Sequence, residues 1–446
     1  MNKQSSITIT SVETVDLRVP TSDTLLGSDP FHKKPNYSCV VVSIKTDTDL
    51  EGLALSFTLG AGTDWIAYGI RDLAELVEGM TLEDFCRDPA AFQHRLLEHH
   101  QLRWLADGVL RMAVGGIMNA LWDLWAKCEE KPLWKLLVDL EPETIVRSID
   151  WRYLRDVLTP EEALAMLQEK RAGREEREAQ MRKRGPKAYS TAGWLGLSDE
   201  QIRATCEELK ATGFDCFKMK AGQDLAHDKK RLAFIRDVIG DDAHLMLDSN
   251  TLWGVDEAIA YMKELAEFKP TWIEEPTARD DVMGYQKVAR EMATLGIGVA
   301  GGEQVPSPVI FKQLLAGGAL SFCQIDATRL AGPNDLFAVI LMASKYGIPV
   351  CPHGGGIGLC NMIAHYALWD QICVSGRSDT QFVEYLNFLQ EEVFLHPIRT
   401  AGGAYVAPDQ PGWGLEMKPD FVERHRYPTG EVWKGREKSG GVTFLA

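Results

Sequence analysis

The sequence predicts an α/β protein: a C-terminal (β/α)8-type (TIM-like) barrel behind an N-terminal α+β capping domain. Three observations predict it. From about residue 188 onward, short apolar runs alternate with amphipathic stretches of helical period, which implies parallel βα units. Eight such runs are present, enough to close a barrel. An ionisable residue recurs at the end of one run after another, about once per unit.

The 446 residues allow two to three domains. Residues 7–18 (ITITSVETVDLR) and 37–46 (YSCVVVSIKT) are rich in β-branched residues and read as paired strands. Between them, residues 22–36 carry Gly, Asp, Pro and Lys and read as a loop. Helical period follows from about Trp65 to Val138. It is clearest over 110–127, where Ala113, Ile117, Leu121 and Leu124 share one face. Residues 169–187 interleave acids with bases, the pattern of a solvated helix and not of a nucleic-acid contact, and Gly185-Pro186 ends it. The eight barrel runs are 188–191, 214–220, 243–248, 271–275, 297–301, 320–326, 347–352 and 380–385. The expected division is a cap over 1–145, a barrel over 146–400, and a segment over 401–446 that packs back on the cap. From Lys434 onward the chain should be loosely held.

Composition narrows the function. Forty-five per cent hydrophobic and 25% charged residues are ordinary for a globular chain, which excludes a disordered or fibrous one. A formal charge of −16 repels phosphate backbones and anionic membranes, so neither nucleic acid nor membrane is an expected partner. No apolar run reaches the roughly 18 residues of a spanning helix. The N-terminus enters β-like alternation too early for a signal peptide's apolar core. Nine cysteines, an odd number with no CxxC pair, fit free thiols in a reducing compartment, and a cytoplasmic location is expected.

The chemistry sits at the strand ends. Lys218 and Lys220 close the second run, Asp248 the third and Glu274 the fourth. Glu303 follows the fifth, Asp326 ends the sixth, His353 follows the seventh, and Glu384 lies in the eighth. Successive intervals from Lys220 are 28, 26, 29, 23, 27 and 31 residues, each about one βα repeat. Side chains at the carboxyl ends of consecutive barrel strands share one mouth, where barrel enzymes keep their sites. Asp248, Glu274 and Glu303 crowd three carboxylates together, and a divalent cation resolves the repulsion. Three hard oxygen donors favour Mg2+. Glu275 points the other way along its strand and reads as structural.

Lys218 and Lys220, two apart, face the same side. Their mutual repulsion should lower the ammonium pKa and free a neutral amine as a base. Asp326 beside His353 would fix the imidazole tautomer and make a proton donor or acceptor. The glycines at 354–356 form no GxGxxG; they suit either close approach to a ligand carboxylate or a tight turn. Two bases flanking a metal-bound anion suit proton abstraction next to a carboxylate.

The set Lys218-x-Lys220, Asp248-x-Asn250, Glu274-Glu275-Pro276, Gly302-Glu303, Asp326 with His353, and Glu384 resembles the mandelate racemase subgroup of the enolase superfamily. Further segments resemble its L-fuconate and fungal L-galactonate dehydratases: Gly27-Ser28-Asp29, Gln101-Leu102-Arg103-Trp104, 119–127 (NALWDLWAK), 193–196 (GWLG), 311–315 (FKQLL) and 356–359 (GIGL). The resemblance implies a Mg2+-dependent hydro-lyase that turns a sugar acid into a 2-keto-3-deoxy acid. Lys220 would take the α-proton, and His353, held by Asp326, would protonate the departing 3-hydroxyl. Lys218 would contact the carboxylate or tune Lys220, and Glu384 would hydrogen-bond the developing enediolate. Asn250 and Trp194 would bind substrate, together with Ser28, Asp29 and His32 of the cap loop over 25–34. A homo-oligomer is also implied.

The departures from the family concentrate in the cap. Ser28-Asp29-Pro30-Phe31-His32 replaces Ser-Asp-Ala-Met-Asn, and Gly60-Ala61-Gly62-Thr63-Asp64 lacks an arginine common in the family. Two alternatives stay open on the sequence: a racemase or epimerase of an α-hydroxy acid on the same scaffold, and a non-catalytic homologue with a binding role.

Overall fold

The computed structural model describes residues 6–105, 107–377 and 379–436. The expected strands 7–18 and 37–46 are β1 (Ile9–Arg18) and β2 (Ser38–Thr46), paired antiparallel; β3 (Glu51–Thr58) adds a third to the order β1-β2-β3. This third strand carries little apolar bulk for a reason the structure shows. The helix Val109–Cys128 packs so closely on it that a Cβ at Gly52 would lie 2.2 Å from the Ala120 carbonyl oxygen.

That helix is buried nearly all round, not on one face as its period predicts. Its Gly115 abuts the barrel, where a Cβ would lie 2.3 Å from the Leu330 carbonyl oxygen. Asn119 Nδ2 donates to the Ala327 carbonyl at 2.9 Å, and Trp122 Nε1 to Asn334 Oδ1 at 3.0 Å. Asp123 accepts from the backbone N–H of Leu53 and of Trp413, each at 2.7 Å. One helix therefore joins the N-terminal sheet, the barrel and the C-terminal segment.

The charged stretch forms the helices Pro160–Glu169 and Arg174–Arg184, the second with Met181 as its one buried residue. Gly185, at φ 67°, then turns the chain, and a Cβ there would collide with the Tyr405 backbone.

The barrel strands are β4 (Ala188–Gly193), β5 (Cys216–Lys220), β6 (His244–Asp248), β7 (Trp272–Glu274), β8 (Gly298–Gly301), β9 (Phe322–Cys323) and β10 (Val383–Tyr385). All seven run parallel in the order β10-β4-β5-β6-β7-β8-β9. The gap between β9 and β10 is threaded by residues 349–353, the seventh apolar run. Cys323 N–H donates to Pro349, Cys351 N–H to Cys323, His353 N–H to Ile325, and Glu384 N–H to Pro352. The ring is closed by backbone hydrogen bonds, although this run makes only a single parallel bridge, Val350 with Cys323.

After residue 400 the chain returns to the N-terminal sheet. Leu17 bridges Arg426, Trp433 Nε1 donates to the Arg18 carbonyl at 3.1 Å, and the Arg18 guanidinium lies 3.7 Å from the Tyr427 ring centre. The end expected to be loose from Lys434 falls mostly outside the described residues; within them, Arg436 pairs with Asp23 at 2.7 Å. All nine cysteines are free. Among the described residues no helix is long and apolar enough to cross a membrane.

Candidate active site

Strand β5 builds the floor of the site by its period of two. Cys216 joins Tyr189, Met246, Trp272, Cys351 and Phe382 in a cluster inside the barrel, while Phe217 and Met219 pack into the outer core. Lys218 and Lys220 continue the inward face. Lys220, Asp248 and Glu274 are register partners across β5, β6 and β7, so the three ends form one layer. Glu303 arrives after β8 through Gly302 (φ 132°), where a Cβ would lie 2.4 Å from the Gln324 carbonyl oxygen.

Lys218 Nζ lies 2.8 Å from both Glu274 Oε1 and Glu384 Oε1, and 3.6 Å from Asp248 Oδ2. Lys220 Nζ donates to Asp248 Oδ2 at 2.5 Å and Asn250 Oδ1 at 2.9 Å, and lies 5.3 Å from the Trp194 ring centre. The expected depression of the lysines is therefore reversed. Burial favours the neutral amines, but Asp248 outweighs it at Lys220, as Glu274 and Glu384 do at Lys218, and both sit above the ordinary lysine range. Lys218 does pull Lys220 down; the carboxylate is simply nearer and stronger.

The acids carry the strain. Burial, then the neighbouring Asp248 charge, pushes Glu274 up to about 8. Burial and Glu303 push Glu275 well above its usual range. Glu275 does not point away from the acids as expected: it is buried beside Glu303, accepts from Gln304 Nε2 at 2.7 Å, and leaves Oε1 without a partner. Glu384 is the exception. Against burial, Lys218 and His353 hold it at about 2, and its carboxylate also accepts from Thr191 Oγ1 at 3.0 Å and Gly354 N–H at 2.9 Å.

His353 Nδ1 lies 2.7 Å from Asp326 Oδ2, and Nε2 lies 3.5 Å from Glu303 Oε2. The other Asp326 oxygen accepts from Thr328 N–H, Thr328 Oγ1 and Arg329 N–H, at 2.7, 3.0 and 3.0 Å. This carboxylate is fixed, and it fixes the ring. Burial opposes protonation of His353, but Glu303, Asp326 and Glu384 outweigh it and raise the imidazole to about 10.

Among the described residues no three Asp, Glu, His or Cys side chains converge at metal-coordination distance. The two ammonium groups hold the acids that were expected to surround a cation. The donor set still fits a hard divalent ion. It consists of buried carboxylate oxygens, and Asp248, Glu274, Glu275, Glu303 and Glu384 outnumber the two lysines among them.

Above the layer lies a cavity of about 370 Å3, lined by Lys218, Lys220, Asn250, Glu303, Asp326, His353 and Glu384 from the barrel. Asp29, His32 and Trp194 also line it. Asp29 accepts from Phe31 N–H at 2.8 Å and His32 N–H at 2.5 Å, and lies 2.9 Å from His32 Nδ1. Asp248 and Glu274 sit behind the lysines and are not in the cavity wall. Ser28 is not in the wall either. Its Oγ donates to the Leu25 carbonyl at 2.6 Å and accepts from Gly196 N–H at 2.9 Å, clamping the cap loop to the turn after β4. Sequence reasoning missed Arg329, Tyr37 and Trp65, which also line the cavity. Arg329 could have been found three residues after Asp326; Trp65 and Tyr37 lie in the cap, where no strand-end rule applies.

Comparisons with known proteins agree with this architecture. A family model described as enolase C-terminal domain-like matches residues 201–421. The crystal structure of human mitochondrial enolase superfamily member 1 superposes with a TM-score of 0.94 at 44% identity, covering 96% of this chain and 98% of that one. The L-galactonate dehydratase of Hypocrea jecorina is 42% identical over 95% of each chain. L-talarate/galactarate dehydratase from Salmonella typhimurium LT2, solved with Mg and L-lyxarohydroxamate, shares the fold with a TM-score of 0.73 at 22% identity, covering 96% of this chain and 94% of that one.

Proposed function

This chain belongs to the enolase superfamily, and on that premise we propose that it is a Mg2+-dependent hydro-lyase converting a six-carbon aldonate of the L-galactonate or L-fuconate type into a 2-keto-3-deoxy acid. The observation that carries the reading is the pairing of Lys220 with the Asp326-held His353. Both line one cavity, on either side of a buried carboxylate layer. The cap (1–145), the barrel (146–400) and the returning segment (401–446) divide the work: the barrel holds the chemistry, and the cap reads the far end of the substrate.

Asp248, Glu274 and Glu303 would hold the cation. When bound there, it supplies positive charge that stabilises the developing enediolate and competes with Lys220 for Asp248. Lys220 removes the proton from C2. Lys218 and Glu384, already paired at 2.8 Å, lie where the substrate carboxylate gains charge. His353, its Nδ1 held by Asp326, gives its Nε2 proton to the 3-hydroxyl, which leaves as water. The resulting enol takes a proton at C3 and becomes the 2-keto-3-deoxy acid.

A library of hexonates, pentonates and 6-deoxyhexonates, incubated with enzyme and Mg2+ and assayed for 2-keto acid, tests the proposal. Release from an L-galactonate-type acid supports it. Incorporation of deuterium at C2 without keto acid would favour an epimerase.

A further inference from the structure

Arg329 is the one cation in the cavity wall with no ion pair among the described residues apart from the imidazoles. Its Nε donates weakly to the Gln304 carbonyl at 3.3 Å, and Nη1 lies 3.4 Å from Met112 Sδ, a poor acceptor. No bond from Nη2 to a described residue is present. Burial, then the nearby Arg279 charge, pulls the guanidinium below its ordinary range. Its wall neighbours Val109, Met112 and Phe57 are apolar and offer it no strong acceptor. A guanidinium has five donors, so most of this one's capacity faces the cavity unspent.

Position indicates which part of a ligand would meet it. Arg329 follows Asp326, the partner of His353, and it touches Met112 on the cap helix. It therefore stands on the His353 side, towards the cap. In the reaction proposed above, the carboxylate lies at the Lys220–Asp248 side and C3 at His353, so the chain beyond C3 leaves towards Arg329.

We propose that Arg329 is a specificity-determining residue that donates hydrogen bonds to the terminal hydroxyl end of the substrate, selecting a hexonate over its 6-deoxy analogue. The inference rests on the dehydratase reading for the orientation of the substrate. A methyl group in place of the C6 hydroxyl would leave buried donors unpaired, a strong form of rejection.

The test compares L-galactonate with 6-deoxy-L-galactonate in the wild-type holoenzyme and in Arg329→Gln and Arg329→Lys. The readout is the ratio of kcat/KM for the two acids. The wild type should favour the hexonate by about 30-fold, the size of one lost charge-assisted hydrogen bond. Arg329→Gln should bring the ratio to within about threefold of unity, and Arg329→Lys should retain part of the preference. Equal use of both acids by the wild type, or an unchanged ratio in Arg329→Gln, would overturn the inference. If neither acid is turned over, the dehydratase reading fails by itself. The same ratio is then read from calorimetric dissociation constants with Mg2+ present, where the same two outcomes decide. Circular dichroism of each variant separates loss of fold from loss of preference.

Discussion

Lys220 Nζ lies 2.5 Å from Asp248 Oδ2, its register partner on the adjacent strand. The proposed base and a proposed metal ligand thus share one ion pair, and that carboxylate cannot serve both a cation and the ammonium at full strength. Magnesium should therefore change stability as well as activity. Chelator-treated enzyme should be inactive and recover with Mg2+. At a hundredfold excess over Kd the ion should stabilise the fold by about 2.7 kcal/mol, read as a rise in Tm. Glu274→Gln should abolish activity yet raise the Tm of the metal-free protein near pH 8, because burial and Asp248 oppose ionisation of Glu274 there. Full activity in chelator would contradict this.

The two bases should separate on mutation. Lys220→Met should remove both dehydration and C2–H exchange, each by about 10^3-fold or more. His353→Asn should cut dehydration by a similar factor while exchange of the C2 proton with solvent deuterium continues, since Lys220 remains. Asp326→Asn should behave as a weaker His353→Asn. Loss of exchange in His353→Asn with retention in Lys220→Met would invert the assignment.

Ser28 should matter for binding without touching substrate. Its Oγ clamps the cap loop to Gly196, and that loop carries Asp29 and His32. Ser28→Ala should lose about 1 kcal/mol of loop anchoring, raising KM by about fivefold with a smaller effect on kcat. A large fall in kcat at constant KM would show that Ser28 acts in the chemistry instead.

Asp370 supplies a pH dependence away from the site. It is buried, accepts from Ser375 N–H at 3.2 Å and from Gln381 Nε2, and burial raises its carboxyl from 3.8 to about 6. The folded protein holds this proton more tightly than the unfolded chain does. The contribution is present below pH 3.8 and is lost as pH rises through about 6, a change of about 3 kcal/mol. Asp370→Asn should flatten that fall, so that the variant gains on the wild type in Tm between pH 4 and 7. Parallel Tm curves for the two proteins would refute it.

What was legible in the sequence follows from where physics acts locally. Lys220, Asp248, Glu274, Glu303, Asp326, His353 and Glu384 were found because each lies at the same phase of a repeating unit, and the repeat is written in the chain. The strand β3 escaped because Gly52, Ala54 and Ser56 are small to admit the helix Val109–Cys128, a demand set by a partner about 60 residues away. The lysine charge state was misread because the repulsion between Lys218 and Lys220 is local, whereas the carboxylates that outweigh it come from other strands. Ser28 looked like a binding residue by motif, and only the fold reveals its bond to Gly196.

The most direct measurement is proton NMR of L-galactonate incubated with the enzyme and Mg2+ in D2O. The account predicts accumulation of a 2-keto-3-deoxy acid carrying one deuterium at C3. A C2-deuterated acid with its 3-hydroxyl intact, and no keto acid, would contradict it.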